Sequence, residues 1–198
     1  MRVQKTTFNQ AATKITQLAL ASALKQTRGE GCLLIIDGNV GSGKTVLASA
    51  LLQAATALPI KIELIEKDRI ITTANDFRQL WELQSKVARS LAKNNLTIVE
   101  GAETADILNF EDTLKLSLFL DTSLLTRTTN IVMRYFSDSR NIFAMTNDLI
   151  NSLIGAFVHK PNCDLIVDYE LFSWQKTSRR PSQQILLDLF TTYRPKPG

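Results

Sequence analysis

The sequence predicts a three-layer α/β domain around a mostly parallel, five-stranded sheet. Two observations carry this. Short apolar runs alternate along the chain with longer, helix-patterned segments, the order that produces parallel strands with crossover helices. One junction, Gly38-Asn39-Val40-Gly41-Ser42-Gly43-Lys44-Thr45, fits the G-x-x-x-x-G-K-[ST] phosphate-binding pattern between an apolar run and a helical one. The chain has 198 residues, 44% hydrophobic and 21% charged, so one domain with a substantial core is expected over 1–198.

In chain order, residues 1–30 are expected to form an N-terminal helix, about 8–27, packing on the core. Its stripe is Phe8, Ala11, Ile15, Leu18, Ala19 and Leu24, and Arg28-Gly29-Glu30-Gly31 ends it. Cys32-Leu33-Leu34-Ile35-Ile36-Asp37 reads as a buried strand, and Val46 to Ala57 as helix. Between them Gly38, Gly41 and Gly43 permit a turn that aims N–H groups at an anion, and the helix N-terminus adds its dipole. Lys44 is placed to reach β- and γ-phosphates, and the Thr45 hydroxyl to ligate Mg²⁺. Asn39, Val40 and Ser42 complete the loop as nucleotide-binding positions. Asp37 either touches Mg²⁺ waters or anchors the loop.

Pro59 breaks the chain. Ile60 to Ile65 alternates as a second strand, with Glu66-Lys67-Asp68-Arg69 at its carboxyl end, the edge where such sheets bind ligands. Asn75 and Asp76 are candidate caps for a helix over about 76–93, Asp76 reading mainly as the cap. The apolar face expected there is Phe77, Leu80, Trp81, Leu83, Val87, Ala88 and Leu91. Asn75, Asp76 and Arg78 flank the acceptor side. Leu96 to Val99 is the third strand, ending in Glu100-Gly101. Glu100 is a candidate for Mg²⁺ or its waters, and otherwise a cap or ion-pair partner. Leu114 to Leu120 is the fourth strand, ending at Asp121. Helix is expected over Ser123 to Tyr135, then a polar stretch through Asn141, and another helix over about 147–159. Asp164 to Asp168 is the fifth strand. A basic turn, Lys176 to Arg180, and a final helix, Pro181 to Tyr193, follow Trp174. Trp81 and Trp174 read as packing residues.

Several classes fall away. The net charge of +4 comes without a long basic block, so no nucleic-acid or membrane arm is expected. Neither an apolar run of ~18 residues nor a signal-peptide core is present. Cys32 and Cys163 lack metal-ligand spacing and read as buried, reduced thiols, which suits the cytoplasm. His159 is the single histidine, structural or exposed. There is no N-K-x-D motif, no transport-ATPase signature and no apolar run ending in Asp-Glu, which argues against GTPases, transporters and motor ATPases. A small-molecule kinase needs only the loop, Mg²⁺, an acceptor pocket and an arginine lid.

The order of motifs resembles the P-loop kinase family that includes uridine kinase, pantothenate kinase and phosphoribulokinase. The resemblance spans about Cys32 to Asp168. It is carried by Ile36-Asp37-Gly38 entering the loop, Val99-Glu100-Gly101, Leu114 to Asp121, and Asn162-Cys163-Asp164-Leu165-Ile166-Val167. Arg127 and Arg134 follow Asp121 at spacings similar to the family's lid arginines, which implies a P-loop NTPase fold with an arginine-bearing lid over about 122–146. Arg140 lies in the same stretch. The resemblance implies ATP and Mg²⁺ as cofactors and phosphoryl transfer to a small-molecule hydroxyl. Two departures stand out. Uridine kinases carry Asp-Phe-Tyr after the second strand, where this chain has Glu66-Lys67-Asp68-Arg69-Ile70. Lys93-Asn94-Asn95 leads straight into the third strand with no nucleoside-enclosing hairpin. Asp68 is the candidate acceptor-orienting base or a solvated loop acid, with Glu66 as substitute. The departures also motivate two alternatives: a nucleotide-binding interaction protein on a degenerate kinase fold, or a kinase with a macromolecular acceptor. Homo-oligomerisation is left open.

Overall fold

The structure is a computed structural model. It describes residues 31–56, 60–73, 76–108, 110, 113, 115–137, 142–158, 163, 165–168 and 174–176. The expected helices over 8–27 and 181–193, together with Asn75, Arg140 and His159, lie outside the described residues.

Six strands form one sheet. In chain order they are β1 (Cys32–Asp37), β2 (Ile62–Glu66), β3 (Leu96–Glu100), β4 (Lys115–Asp121), β5 (Leu165–Asp168) and β6 (Trp174–Lys176). Their spatial order is β2-β3-β1-β4-β5-β6. The first five are parallel, as the alternation predicts, and β6 adds antiparallel to β5. The sixth strand ends at Lys176, the first residue of the expected basic turn. Three residues carry too short a pattern to identify a strand, and only pairing with Leu165–Val167 makes Trp174–Lys176 one.

The described helices are α1 (Lys44–Ala55), α2 (Phe77–Leu91), α3 (Thr104–Ile107), α4 (Leu124–Ser137) and α5 (Ile142–Val158). α5 starts about five residues earlier than its pattern suggests, and the single turn of α3 was not anticipated. Asp76 is the N-cap of α2, its carboxylate accepting from the Arg78 and Gln79 N–H groups.

β1 is buried on both faces and separates two apolar layers. Leu34 and Ile36 pack with Leu47, Ala48 and Leu51 of α1, while Leu33 and Ile35 pack with Leu83, Val87 and Leu91 of α2. Alternate side chains of a strand point to opposite faces, so a continuous apolar run is what a central strand requires. Each such Leu or Ile contributes about 1.5–3 kcal/mol of burial before chain entropy. The expected apolar face of α2 is too wide. Phe77 is 83% and Trp81 72% exposed, and Ala88 is exposed too, because the buried stripe is the narrower one shared by Leu83, Val87 and Leu91 at i, i+4 spacing.

The register brings the acids to one edge. Ile36 of β1 and Glu66 of β2 both lie opposite Glu100 of β3. The glycine loop leaves β1 between β3 and β4, at the carboxyl ends of the strands where α/β sheets open a ligand crevice.

Candidate functional site

The phosphate loop is held from below by Asp37. Its buried carboxylate Oδ1 accepts from Gly38 N–H at 2.6 Å and from Glu103 N–H at 2.8 Å, and Oδ2 accepts from Ala105 N–H at 3.1 Å. Burial pushes the Asp37 carboxyl above its ordinary value, against the three backbone donors and Lys44. In this arrangement Asp37 anchors the loop and the entry to α3.

The Lys44 ammonium is buried and donates to Gly38 O at 2.8 Å and Asn39 O at 3.0 Å. Burial draws its pKa down, and Asp68, Glu100 and Asp37, in that order, oppose the shift. Thr45 sits one residue into α1, and its Oγ1 donates to Glu100 Oε1 at 3.2 Å. Burial raises the Glu100 carboxyl, while Lys44 lowers it. Gly41 has φ +80, and a Cβ there would stand 2.6 Å from Arg127 O and 2.9 Å from Ile131 Cγ1. Only glycine lets α4 come this close.

α4 is fastened to the loop by residues that sequence reasoning passed over. Asn130 Nδ2 donates to Gly41 O at 2.9 Å, and Thr122 Oγ1 donates to Ser42 O at 3.1 Å. Arg127, expected in the lid, is buried in the first turns of α4, its Nη1 donating to Ser152 O of α5 at 2.9 Å. Arg127 Nε and Ser152 Oγ are buried there without hydrogen-bond partners among the described residues. Arg134 lies exposed in the last turn of α4.

The carboxyl end of β2 continues into one 3₁₀ turn, Lys67–Arg69. Asp68 has a side chain 67% exposed and 3.9 Å from Lys67 Nζ, and its charge is the largest acting on Lys44. Glu66 is engaged by Arg69 at 2.6 Å. Lys67, not singled out from sequence, is buried and donates to Ala102 O. Its stem lies on Gly101, where φ is +154 and a Cβ would stand 2.8 Å from Lys67 Cβ. Beside this lysine opens a cavity of about 410 Å³. Ile71, Leu80 and Ile107 give it apolar walls, Phe77 an aromatic edge, and Lys67, Thr72, Asp76 and Glu103 its polar groups.

No family model matches the chain, and no curated protein matches it in sequence. Solved structures do share its fold. A provisionally named fructose transport system kinase from Silicibacter sp. TM1040 aligns over 78% of this chain and 98% of its own, at TM-score 0.54 and 17% identity. The protein APE1195 aligns over 83% and 95%, at TM-score 0.52 and 17% identity. The chain thus shares the α/β fold of these structures.

The residues present fit a Mg²⁺-bound nucleotide polyphosphate. Ser42 Oγ is buried without a partner among the described residues, 2.7 Å from where a Gly38 Cβ would lie. A buried hydroxyl left unpaired invites an acceptor such as a phosphate oxygen. Among the described residues, no group of three or more His, Cys, Asp or Glu could hold a metal. Mg²⁺ at phosphate sites needs fewer, keeping several waters beside one or two protein ligands, so Thr45 with Glu100 suffices. Cys32 takes no part, since burial pushes its thiol up to about 12. No helix among the described residues is long and apolar enough to cross a membrane.

Proposed function

We propose that this chain is an ATP- and Mg²⁺-dependent kinase that transfers the γ-phosphate to a hydroxyl of a small molecule, nucleoside-like or a related metabolite, in the manner of uridine kinase. The observation that carries the reading is the shared position of Asp68, whose charge bears on Lys44 of the phosphate loop and which stands 3.9 Å from Lys67 at the wall of the cavity. A phosphate donor on the loop and a hydroxyl acceptor in the cavity would meet at that carboxylate.

Each residue then has a task. Residues 38–45 cradle the β- and γ-phosphates through backbone N–H groups, and Lys44 exchanges its two carbonyl partners for phosphate oxygens. Thr45 and Glu100 hold Mg²⁺ and its waters, and Asp37 keeps the loop in place. The metal, when bound, neutralises charge on the β- and γ-oxygens. Asp68 accepts a hydrogen bond from the acceptor hydroxyl and aligns it for in-line attack. Arg134 and Arg127 supply positive charge to the transferring group, Arg127 by giving up Ser152 O. A reducing, cytoplasmic setting accords with Cys32 and Cys163, both buried thiols.

The test is transfer across a panel of hydroxyl metabolites, read as ADP release and as phosphorylated product by ³¹P NMR. Wild type should show acceptor-dependent product. Asp68→Asn should lose ~10²-fold in transfer with near-normal ATP affinity, the usual scale for a lost general base, while Glu66→Gln does much less. ATP binding without product over the whole panel would replace this reading with a nucleotide-binding interaction protein or a macromolecular acceptor.

A further inference from the structure

The polar groups of the cavity wall are engaged to different degrees. Lys67 donates to Ala102 O and stands beside Asp68. Thr72 Oγ1 accepts from Gln79 Nε2 at 3.1 Å, and its N–H donates to Gln79 Oε1 at 2.8 Å. Asp76 Oδ1 accepts the Arg78 and Gln79 N–H groups at 2.9 and 3.4 Å. The Glu103 carboxylate has no partner among the described residues. With Asp76 it gives the wall two carboxylates against the single ammonium of Lys67, and Glu103 is the one of the two whose carboxylate caps no helix.

The backbone at Glu103 points the same way. Its φ of 57 and ψ of 21 are left-handed, and it is the non-glycine residue with positive φ among the described residues. That conformation costs a side chain such as Glu about 1 kcal/mol. The strain is maintained by Asp37, whose Oδ1 takes the Glu103 N–H while Oδ2 takes that of Ala105. Strain held in place at a cavity wall is an observation from which a binding role can be inferred.

We infer that Glu103 is a specificity-determining residue that receives a cationic ammonium on the acceptor, so that the substrate class is a hydroxyl compound with an apolar or aromatic body and an amine. The body lies against Ile71, Leu80, Ile107 and the ring of Phe77, and the hydroxyl lies at the Lys67 end of the wall, where Asp68 stands 3.9 Å from the ammonium. Phe77 adds the negative face of its ring to the attraction for a cation. A carboxylated or phosphorylated acceptor is disfavoured, because the lining carries two carboxylates, Asp76 and Glu103, against one ammonium, Lys67. The inference rests on the reading of this cavity as the acceptor site.

The experiment reads equilibrium binding by ligand-observed NMR, so it stands apart from whether transfer occurs. Three probes share one benzyl alcohol body: 4-(aminomethyl)benzyl alcohol, 4-methylbenzyl alcohol and 4-(hydroxymethyl)benzoate. In wild type the ammonium probe should bind about fivefold more tightly than the neutral one, the upper range for a partly exposed ion pair, and the carboxylate probe most weakly. Glu103→Gln should reduce the preference at least about twofold, leaving the neutral probe unchanged. Glu103→Lys should invert it. Absence of ammonium-probe binding to wild type, preference for the carboxylate, or an order indifferent to residue 103 overturns the assignment. Should the probes sort as expected while no phosphoryl transfer is found, the kinase reading alone fails.

Discussion

Asp37 and Glu103, 66 positions apart, meet through a single oxygen: Asp37 Oδ1 accepts the Glu103 N–H at 2.8 Å and, on its other side, the Gly38 N–H at 2.6 Å. The first residue of the phosphate loop and the strained residue at the cavity wall therefore share one anchor. Anything that moves the loop is felt at the cavity through this carboxylate.

Replacing Asp37 by Asn turns one acceptor into a donor facing backbone N–H groups. Stability should fall by about 1–3 kcal/mol, the penalty for a buried donor left unmatched, read by urea unfolding. ATP affinity should weaken too, because Gly38 loses its holder. Unchanged nucleotide affinity in a destabilised variant would confine Asp37 to a structural role away from the loop.

The pH profile follows from the carboxyls that burial raises. Asp37 lies above its ordinary 3.8 and Glu100 above 4.5. Between those values and the raised ones, the folded state keeps protons that the unfolded chain has released, so stability falls as pH rises through that window. Unfolding free energies from both groups should thus increase on acidification from neutrality into the window. The profile of Asp37→Asn should be shallower than that of wild type. Parallel profiles would mean that Asp37 does not titrate there.

Lys44→Ala removes the charge meant for phosphate and two hydrogen bonds to loop carbonyls, Gly38 O and Asn39 O. ATP affinity should drop about ten- to a hundredfold, the scale of hydrogen bonds to a charged group. Thermal unfolding should change little, because burial already works against the ammonium. Calorimetric titration with ATP is the direct check, and parental affinity would remove the loop from the site.

Arg127 and Arg134 can be separated. Arg127→Met keeps volume and removes a buried guanidinium whose Nε lacks a partner among the described residues, so stability should hold or rise. Its kcat should fall if the side chain reaches phosphate during turnover. Lost stability with kcat intact would assign Arg127 to packing of α4 on α5. Arg134→Ala should lower kcat at least about tenfold with little change in ATP affinity, the pattern of a contact made in the transition state.

The sequence by itself determined whatever depends on neighbours along the chain. The apolar run 32–37, the glycines and the helix after them specify the loop through local backbone freedom and dipole, and the acids at strand ends follow from strand length. Asp76 was legible as a cap for the same reason. Tertiary structure decided what depends on distant partners. Arg127 reads from sequence as a lid arginine, and only the tertiary structure sets Ser152 O of α5 against it. Lys67 carried no signal of its own, because the room for its stem is made by Gly101, at the exit of the neighbouring strand. Glu103 carried no signal, since its left-handed backbone is imposed by a carboxylate 66 residues earlier. Phe77 and Trp81 matched a helical apolar stripe, but the packing of Leu83, Val87 and Leu91 on the core decides which narrower stripe is buried. A period records which face of a helix is apolar, and only the assembled layers decide how much of that face meets a core.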